Sequence, residues 1–154
     1  MDLSDLIVDK GVLPNLKATS KKQVLQLLAA KASDVFDLDE RTVLDLLMER
    51  ERLGTTGVGN GVGIPHAKVP GVTRPCGLFA RLDAPVDFDA IDDQPVDLVF
   101  LLLAPEGAGA DHLKALARVS RTFRNQILCE KLRASSDATA LFALLTEPAE
   151  THAA

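Results

Sequence analysis

Leu98-Val99-Phe100-Leu101-Leu102-Leu103, inside the stretch from Pro95 to Ala104, is apolar on successive residues. A strand with one wet face alternates apolar and polar positions, so this run predicts a central strand covered on both faces. Material for two covering layers lies on either side of it. Upstream, Ser20-x-x-Gln23 has the form of a capping box and leads into Val24, Leu27, Leu28 and Val35 at helical spacing, which predicts a helix from Ser20 to Val35. Asp37-x-x-Glu40 repeats the signal before a stripe of Val43, Leu46 and Leu47, with Gly54 as its stop. Strand-like runs follow at Cys76 to Leu82 and Val86 to Phe88. Downstream, Leu113, Leu116, Ser120 and Phe123 fall on one side of a helix expected over Asp111 to Phe123, and shorter helices are expected over Gln126 to Arg133 and Asp137 to Thr146. Helices, then strands, then helices imply an α/β sandwich with helices on both faces of the sheet.

The 154 residues suit a single domain over residues 1–146. Residues 147–154 read as a flexible, frayed tail, which makes His152 inert. A net charge of -5 without Trp or Tyr offers neither a basic footprint nor stacking surfaces, so no nucleic acid partner is expected and direct carbohydrate binding is disfavoured. Cys76 and Cys129 are unpatterned and far apart, as free thiols of a reducing cytosol are. The start Met1-Asp2-Leu3-Ser4-Asp5 lacks the form of a secretory signal, and the longest apolar run is too short to span a bilayer, so a cytoplasmic chain without membrane insertion is expected.

The chemistry concentrates in Gly57-Val-Gly59-Asn60-Gly61-Val-Gly63-Ile64-Pro65-His66, where alternating glycines run into a proline and one of three histidines. Bare backbone lets an anion approach main-chain amides, and Pro65 stiffens the delivery of the imidazole. No Gly-Lys-Ser/Thr ends the run and no frame has the dinucleotide glycine spacing, so neither ATP nor NAD is supported and no cofactor is expected. The acidic segment Asp87-Phe-Asp89-Ala-Ile-Asp92-Asp93 lacks the glycine of a calcium loop and reads as a solvated turn; no metal is expected. Arg50 falls on the apolar stripe of the second helix, in its last turn. It either complements that helix terminus, snorkelling past the core edge, or turns its fork toward an anion on the adjoining loop. His112 follows Asp111 at a helix start, where an imidazolium is disfavoured and amides can face an anion. His66, His112, Arg50 and the loop amides together would make a phosphate-sized pocket, suited to phosphoryl acceptance by a neutral imidazole.

Three segments carry a resemblance: Arg50-Glu-Arg-Leu-Gly54-Thr-Thr-Gly57-Val-Gly-Asn60-Gly61 running to Ile64-Pro65-His66, then Phe88-Asp89-Ala90-Ile91-Asp92-x-x-Pro95-Val96-Asp97-Leu98, then His112-Leu113-x-x-Leu116. From Leu3 to Thr146 the chain resembles the IIA domains of the bacterial phosphoenolpyruvate-dependent phosphotransferase system, in the fructose and mannitol class, and most of all their nitrogen-regulatory branch. The resemblance implies a mixed β-sheet between helices. It implies that His66 carries a phosphoryl group received from the phosphohistidine of a small HPr-like (NPr) carrier, on Nε2, with Arg50 and His112 around the phosphate. Thr55, Thr56 and Asn60 are lesser candidates for orienting it, or are loop-capping polar residues. Gly63 stands where the family more usually has alanine, a departure expected to loosen the loop slightly. A regulatory phosphocarrier is the leading expectation. A sugar-uptake IIA component passing phosphate to a IIB domain is the near alternative, and a non-catalytic anion-binding module the alternative of another class.

Overall fold

The apolar run forms β6 (Val96–Ala104), and its alternation sorts the whole core. Val99, Leu101 and Leu103 join the cluster on one face, while Leu98, Phe100 and Leu102 join the cluster on the other, all of them fully buried. The first face is covered by α1 (Lys21–Phe36) and α2 (Glu40–Leu53), the second by α3 (Ala110–Phe123), α4 (Gln126–Ala134) and α5 (Ala138–Thr146). Burying each of these large apolar side chains contributes about 1.5–3 kcal/mol, which is why a strand with an unbroken apolar run must sit between two layers. This computed structural model describes residues 3–147; the rest of the expected tail, with His152, lies outside the described residues.

The other strands are β1 (Ile7–Leu16), β2 (Gly57–Gly59), β3 (Val62–Gly63), β4 (His66–Lys68) and β5 (Cys76–Val86). They make one six-stranded mixed sheet in the order β1-β5-β6-β3-β2, with β4 also on β6. β5 runs antiparallel along one edge of β6, and β1 parallel to β5. The other edge of β6 is shared: β3 pairs with Leu98 and Val99, and β4 pairs with Leu102 to Ala104, both parallel.

Helix boundaries follow the capping signals with two corrections. Ser20 caps α1, accepting from the Gln23 amide at 3.1 Å, while Gln23 reaches back to the Thr19 amide at 2.7 Å. Asp37 is not the cap of α2: it ends α1 in the left-handed region (φ 55), and Asp39 caps α2 through the Thr42 amide at 2.9 Å. The buried face of α3 is also shifted. Leu113 is 65% exposed, and His112, Ala115, Val119 and Phe123 face the core, because residues i, i+3, i+7 and i+11 from His112 share one side.

Expected short strand Val86 to Phe88 is divided: Val86 ends β5, and Phe88 lies beyond it, buried on the α1–α2 face. β1 was not foreseeable from alternation, since Gly11 and Pro14 interrupt it and its pairing with β5 slips in register twice. The glycine run is a hairpin rather than an open loop. β2 and β3 pair antiparallel around Asn60-Gly61, both at positive φ (57 and 78), the signature of a tight Asn-Gly turn.

Gly77 of β5 is a packing requirement. A Cβ there would meet Cε1 of Phe100 at 2.4 Å and the Leu101 carbonyl oxygen at 2.8 Å. Gly77→Ala is therefore expected to lower stability by about 1–3 kcal/mol, the usual cost of overpacking, read as a lower urea midpoint with unchanged m-value.

Candidate functional site

His66 opens β4, opposite Leu102 of β6. Paired positions of a sheet point to the same side, so His66 shares the face of Leu102, the one covered by α3, while Ala67 beside it turns into the α1–α2 cluster with Leu103. His112 in the first turn of α3 accordingly lies next to His66, with ring centroids 5.6 Å apart and ring planes at 45°.

The His66 ring is tethered on both nitrogens. Nδ1 lies 2.8 Å from the Ile64 carbonyl oxygen, which can only accept, so the ring proton sits on Nδ1. Nε2 thereby keeps a lone pair, which accepts from Nε of Arg50 at 3.3 Å. The Arg50 guanidinium also donates from Nη1 to the Gly54 carbonyl at 2.9 Å, so one side chain both complements the end of α2 and reaches the loop. Burial lowers the pKa of His66, with the Arg50 charge acting in the same direction; the Ile64 hydrogen bond and the Glu51 carboxylate oppose it. His112 is 8% exposed, and its pKa too is lowered, first by burial and then by His66 and Lys68. Among the described residues its buried Nδ1 has no hydrogen-bond partner, and an unpaired lone pair is cheaper there than an unpaired N–H, which assigns the proton to Nε2.

The three lesser candidates are committed to the scaffold. Thr55 donates its hydroxyl to the Phe88 carbonyl at 2.6 Å and accepts from the Gly57 amide at 3.0 Å. Thr56 is buried and bonds Glu51 through both its hydroxyl and its amide. Asn60 occupies the exposed hairpin tip, its amide bonded to Asp92 at 2.9 Å and its carbonyl to Arg133 at 2.7 Å; these contacts tie it to the hairpin supports rather than to His66. Arg133 is itself paired with Asp97, and Asp92 serves as the turn anchor expected of a solvated acidic segment. Three amides of the glycine run, those of Gly57, Asn60 and Ile64, have internal acceptors and so do not belong to a cradle of free amides. Gly63 is closely packed, a Cβ there meeting Cε2 of Phe88 at 3.2 Å.

Two residues escaped sequence reasoning. Glu51 has a side chain only 7% exposed and pairs with Lys21, the first residue of α1. The available signal was spacing: Glu51 follows Leu47 by four residues and thus continues the buried stripe of α2. Among the described residues no group of His, Cys, Asp and Glu could hold a metal ion, and no helix is long and apolar enough to cross a membrane. Cys76 and Cys129 are free thiols, and burial pushes Cys76 up to about 11, so it stays unreactive.

The pKa directions have a thermodynamic sign. Both rings titrate below the ordinary imidazole value of 6.5 in the folded chain, so the unfolded chain binds more protons in that range. Their contribution to stability is complete above pH 6.5 and is lost as pH falls through the folded values. Ring titrations followed by NMR should give midpoints below 6.5 for both, and the urea midpoint should drop between about pH 7 and pH 5, less steeply in His66→Asn.

Residues 6–147 match the family described as phosphoenolpyruvate-dependent sugar phosphotransferase system, EIIA 2. The chain is 58% identical over 153 residues to a nitrogen regulatory protein of Bradyrhizobium diazoefficiens, covering 99% of this chain and 100% of that protein. It is 44% identical over 114 residues to a fructose-specific EIIA component of Haloferax volcanii, covering 73% and 74%. The crystal structure of nitrogen regulatory protein IIA-Ntr from Neisseria meningitidis superposes with a TM-score of 0.86 at 34% identity, covering 92% of this chain and 97% of that one.

Proposed function

Because the chain belongs to the EIIA 2 family of the phosphoenolpyruvate-dependent phosphotransferase system, in its nitrogen-regulatory branch, we propose that it is a regulatory phosphocarrier whose covalent centre is His66. One observation carries the assignment of the acceptor atom. The Nδ1 proton of His66 is engaged by the Ile64 carbonyl, and the Nε2 lone pair is turned toward Arg50.

The donor is the phosphohistidine of an HPr-like carrier. As the two proteins meet, the Nε2 lone pair of His66 attacks phosphorus, and the P–N bond to the donor imidazole breaks with its electron pair returning to the donor ring. Such a transfer is loose and highly charged, so the acceptor contributes placement and positive electrostatics rather than exceptional nucleophilicity. Three features prepare His66 for such a transfer. The depressed pKa of His66 keeps it neutral and nucleophilic near neutral pH. Arg50 is within reach of the incoming phosphoryl oxygens and can exchange its weak contact with Nε2 for a charge-assisted one. His112, protonated on Nε2 while neutral overall, supplies a second donor beside the ring. When the Nε2–P bond has formed, the ring carries positive charge, and the Nδ1–H bond to Ile64 strengthens with it.

Phosphate adds about -1.5 to -2 charge beside Arg50 and His112, enough to recruit or repel a protein without refolding. Regulation by phosphorylation state is thus the main output, in a cytoplasmic chain. The kinship to a fructose-specific EIIA component favours a second reading, in which phosphate passes on to a IIB domain.

Incubation with phosphoenolpyruvate, enzyme I and an HPr-like carrier is expected to place one acid-labile, base-stable phosphate on His66 and none on His66→Ala. Arg50→Ala should slow the transfer on the order of 10- to 1000-fold, as losing one charged donor does. A wild-type rate in Arg50→Ala contradicts its role. Failure to label His66 removes the reading altogether, and rapid onward transfer to a fructose- or mannitol-type IIB protein selects the second one.

A further inference from the structure

We propose that Glu51, charged and clamped by Lys21, is a positioning residue that selects the tautomer of His66 by way of Thr56 and Ile64. The inference rests on His66 being the phosphoryl acceptor, and it concerns how that ring is kept ready.

A continuous set of contacts links the start of α1 to the ring. Lys21 pairs with Glu51 and donates to the Phe88 carbonyl at 3.3 Å, its ammonium 5.4 Å from the centroid of the Phe88 ring. The Glu51 carboxylate takes both donors of Thr56, the hydroxyl on Oε1 and the amide on Oε2 at 3.2 Å. The Thr56 carbonyl then accepts from the Ile64 amide at 2.9 Å, and the Ile64 carbonyl accepts from Nδ1 of His66 at 2.8 Å. The peptide of Ile64 lies in a segment also held by the Pro65 carbonyl, which accepts from the Leu102 amide at 2.9 Å. Thr56 therefore holds the amide end of Ile64, one residue's backbone torsions away from the carbonyl that takes the His66 proton, and Glu51 holds Thr56.

A solvated glutamate on a helix surface does none of this. Glu51 is instead a buried carboxylate with a dedicated cation, and its bidentate grip on one residue needs two acceptor oxygens. Lys21 has a second effect. It balances the carboxylate, so that a dianionic phosphoryl group arriving at His66 does not face an uncompensated negative charge. Loosening Thr56 would let the Ile64 carbonyl swing away, freeing the Nδ1 proton to move to Nε2. That form has no lone pair at the reacting atom.

The variants are Glu51→Gln, whose amide nitrogen cannot accept and so loses one of the two Thr56 bonds, and Thr56→Val, which conserves volume and leaves the Lys21 pair in place. Two readouts separate positioning from mere stability, both taken well below the melting temperature of each variant. The ring 15N shifts of His66 report which nitrogen bears the proton. Phosphoramidate, whose P–N bond breaks with release of ammonia, reports the intrinsic rate of His66 phosphorylation without a carrier protein.

Wild-type protein is expected to show the Nδ1–H form. Both variants should gain the Nε2–H form and react on the order of 10- to 100-fold more slowly, the scale of a small misplacement at a reacting centre. If Glu51→Gln does not fold, Thr56→Val decides. A folded variant that keeps either the wild-type tautomer or a rate within about twofold of wild type overturns the proposal. Absence of phosphate on His66 in the wild type would defeat the phosphocarrier reading instead, while the tautomer measurement would still judge this one.

Discussion

β6 has to be buried on two faces and hydrogen-bonded on two edges, and almost every other element exists where it does to meet that demand. Its alternate side chains need a helical layer on each side, supplied by α1 and α2 before it in the chain and α3 to α5 after it. One edge is satisfied by the long antiparallel β5, the other by two fragments, β3 and β4. The candidate site is a by-product of that second edge. Where the fragments meet, the backbone of Ile64 and Pro65 leaves the sheet and returns, and the residue on which it returns is His66.

The electrostatics around His66 serve opposite needs. A ring that accepts a phosphoryl group must be neutral beforehand, and burial with the adjacent Arg50 charge keeps it so. Under the proposed function the incoming group is strongly anionic, and the same guanidinium suits it. Glu51 would be out of place beside such a group were it not closely paired with Lys21. If His66 is the acceptor proposed above, one set of fixed charges serves the ring before and after transfer, because Arg50 and Lys21 already stand in position.

Much of this was legible in the residues, and what was not has identifiable physical causes. The doubly covered strand, the Ser20 cap and the convergence of Arg50, His66 and His112 were readable because each rests on periodicity or on a side chain of unusual type for its position. β1 was hidden by Gly11, Pro14 and two register slips that erase alternation. The pairing of β2 with β3 was hidden because alternating glycines carry no apolar mark. On α3 the large Leu113 shifted the expected stripe, which kept Phe123 but missed the small Ala115 and polar His112 that face inward. Lys21 and Glu51 each look like ordinary helix-surface charges until α1 and α2 are docked, since nothing local brings residues thirty positions apart together.

The shared edge of β6 turns chain length into a gauge. From the β3 pair Gly63 with Val99 to the β4 pair His66 with Leu102, both strands advance by the same number of residues, so the excursion through Ile64 and Pro65 is measured against an uninterrupted neighbour. Because side chains alternate, inserting or deleting one residue there would present Ala67 or Pro65 to α3 and turn the imidazole away. Substitution can be tolerated along this segment, but a change of length cannot. Descent in this family should therefore preserve the count between hairpin and histidine more strictly than the identity of the residues that fill it.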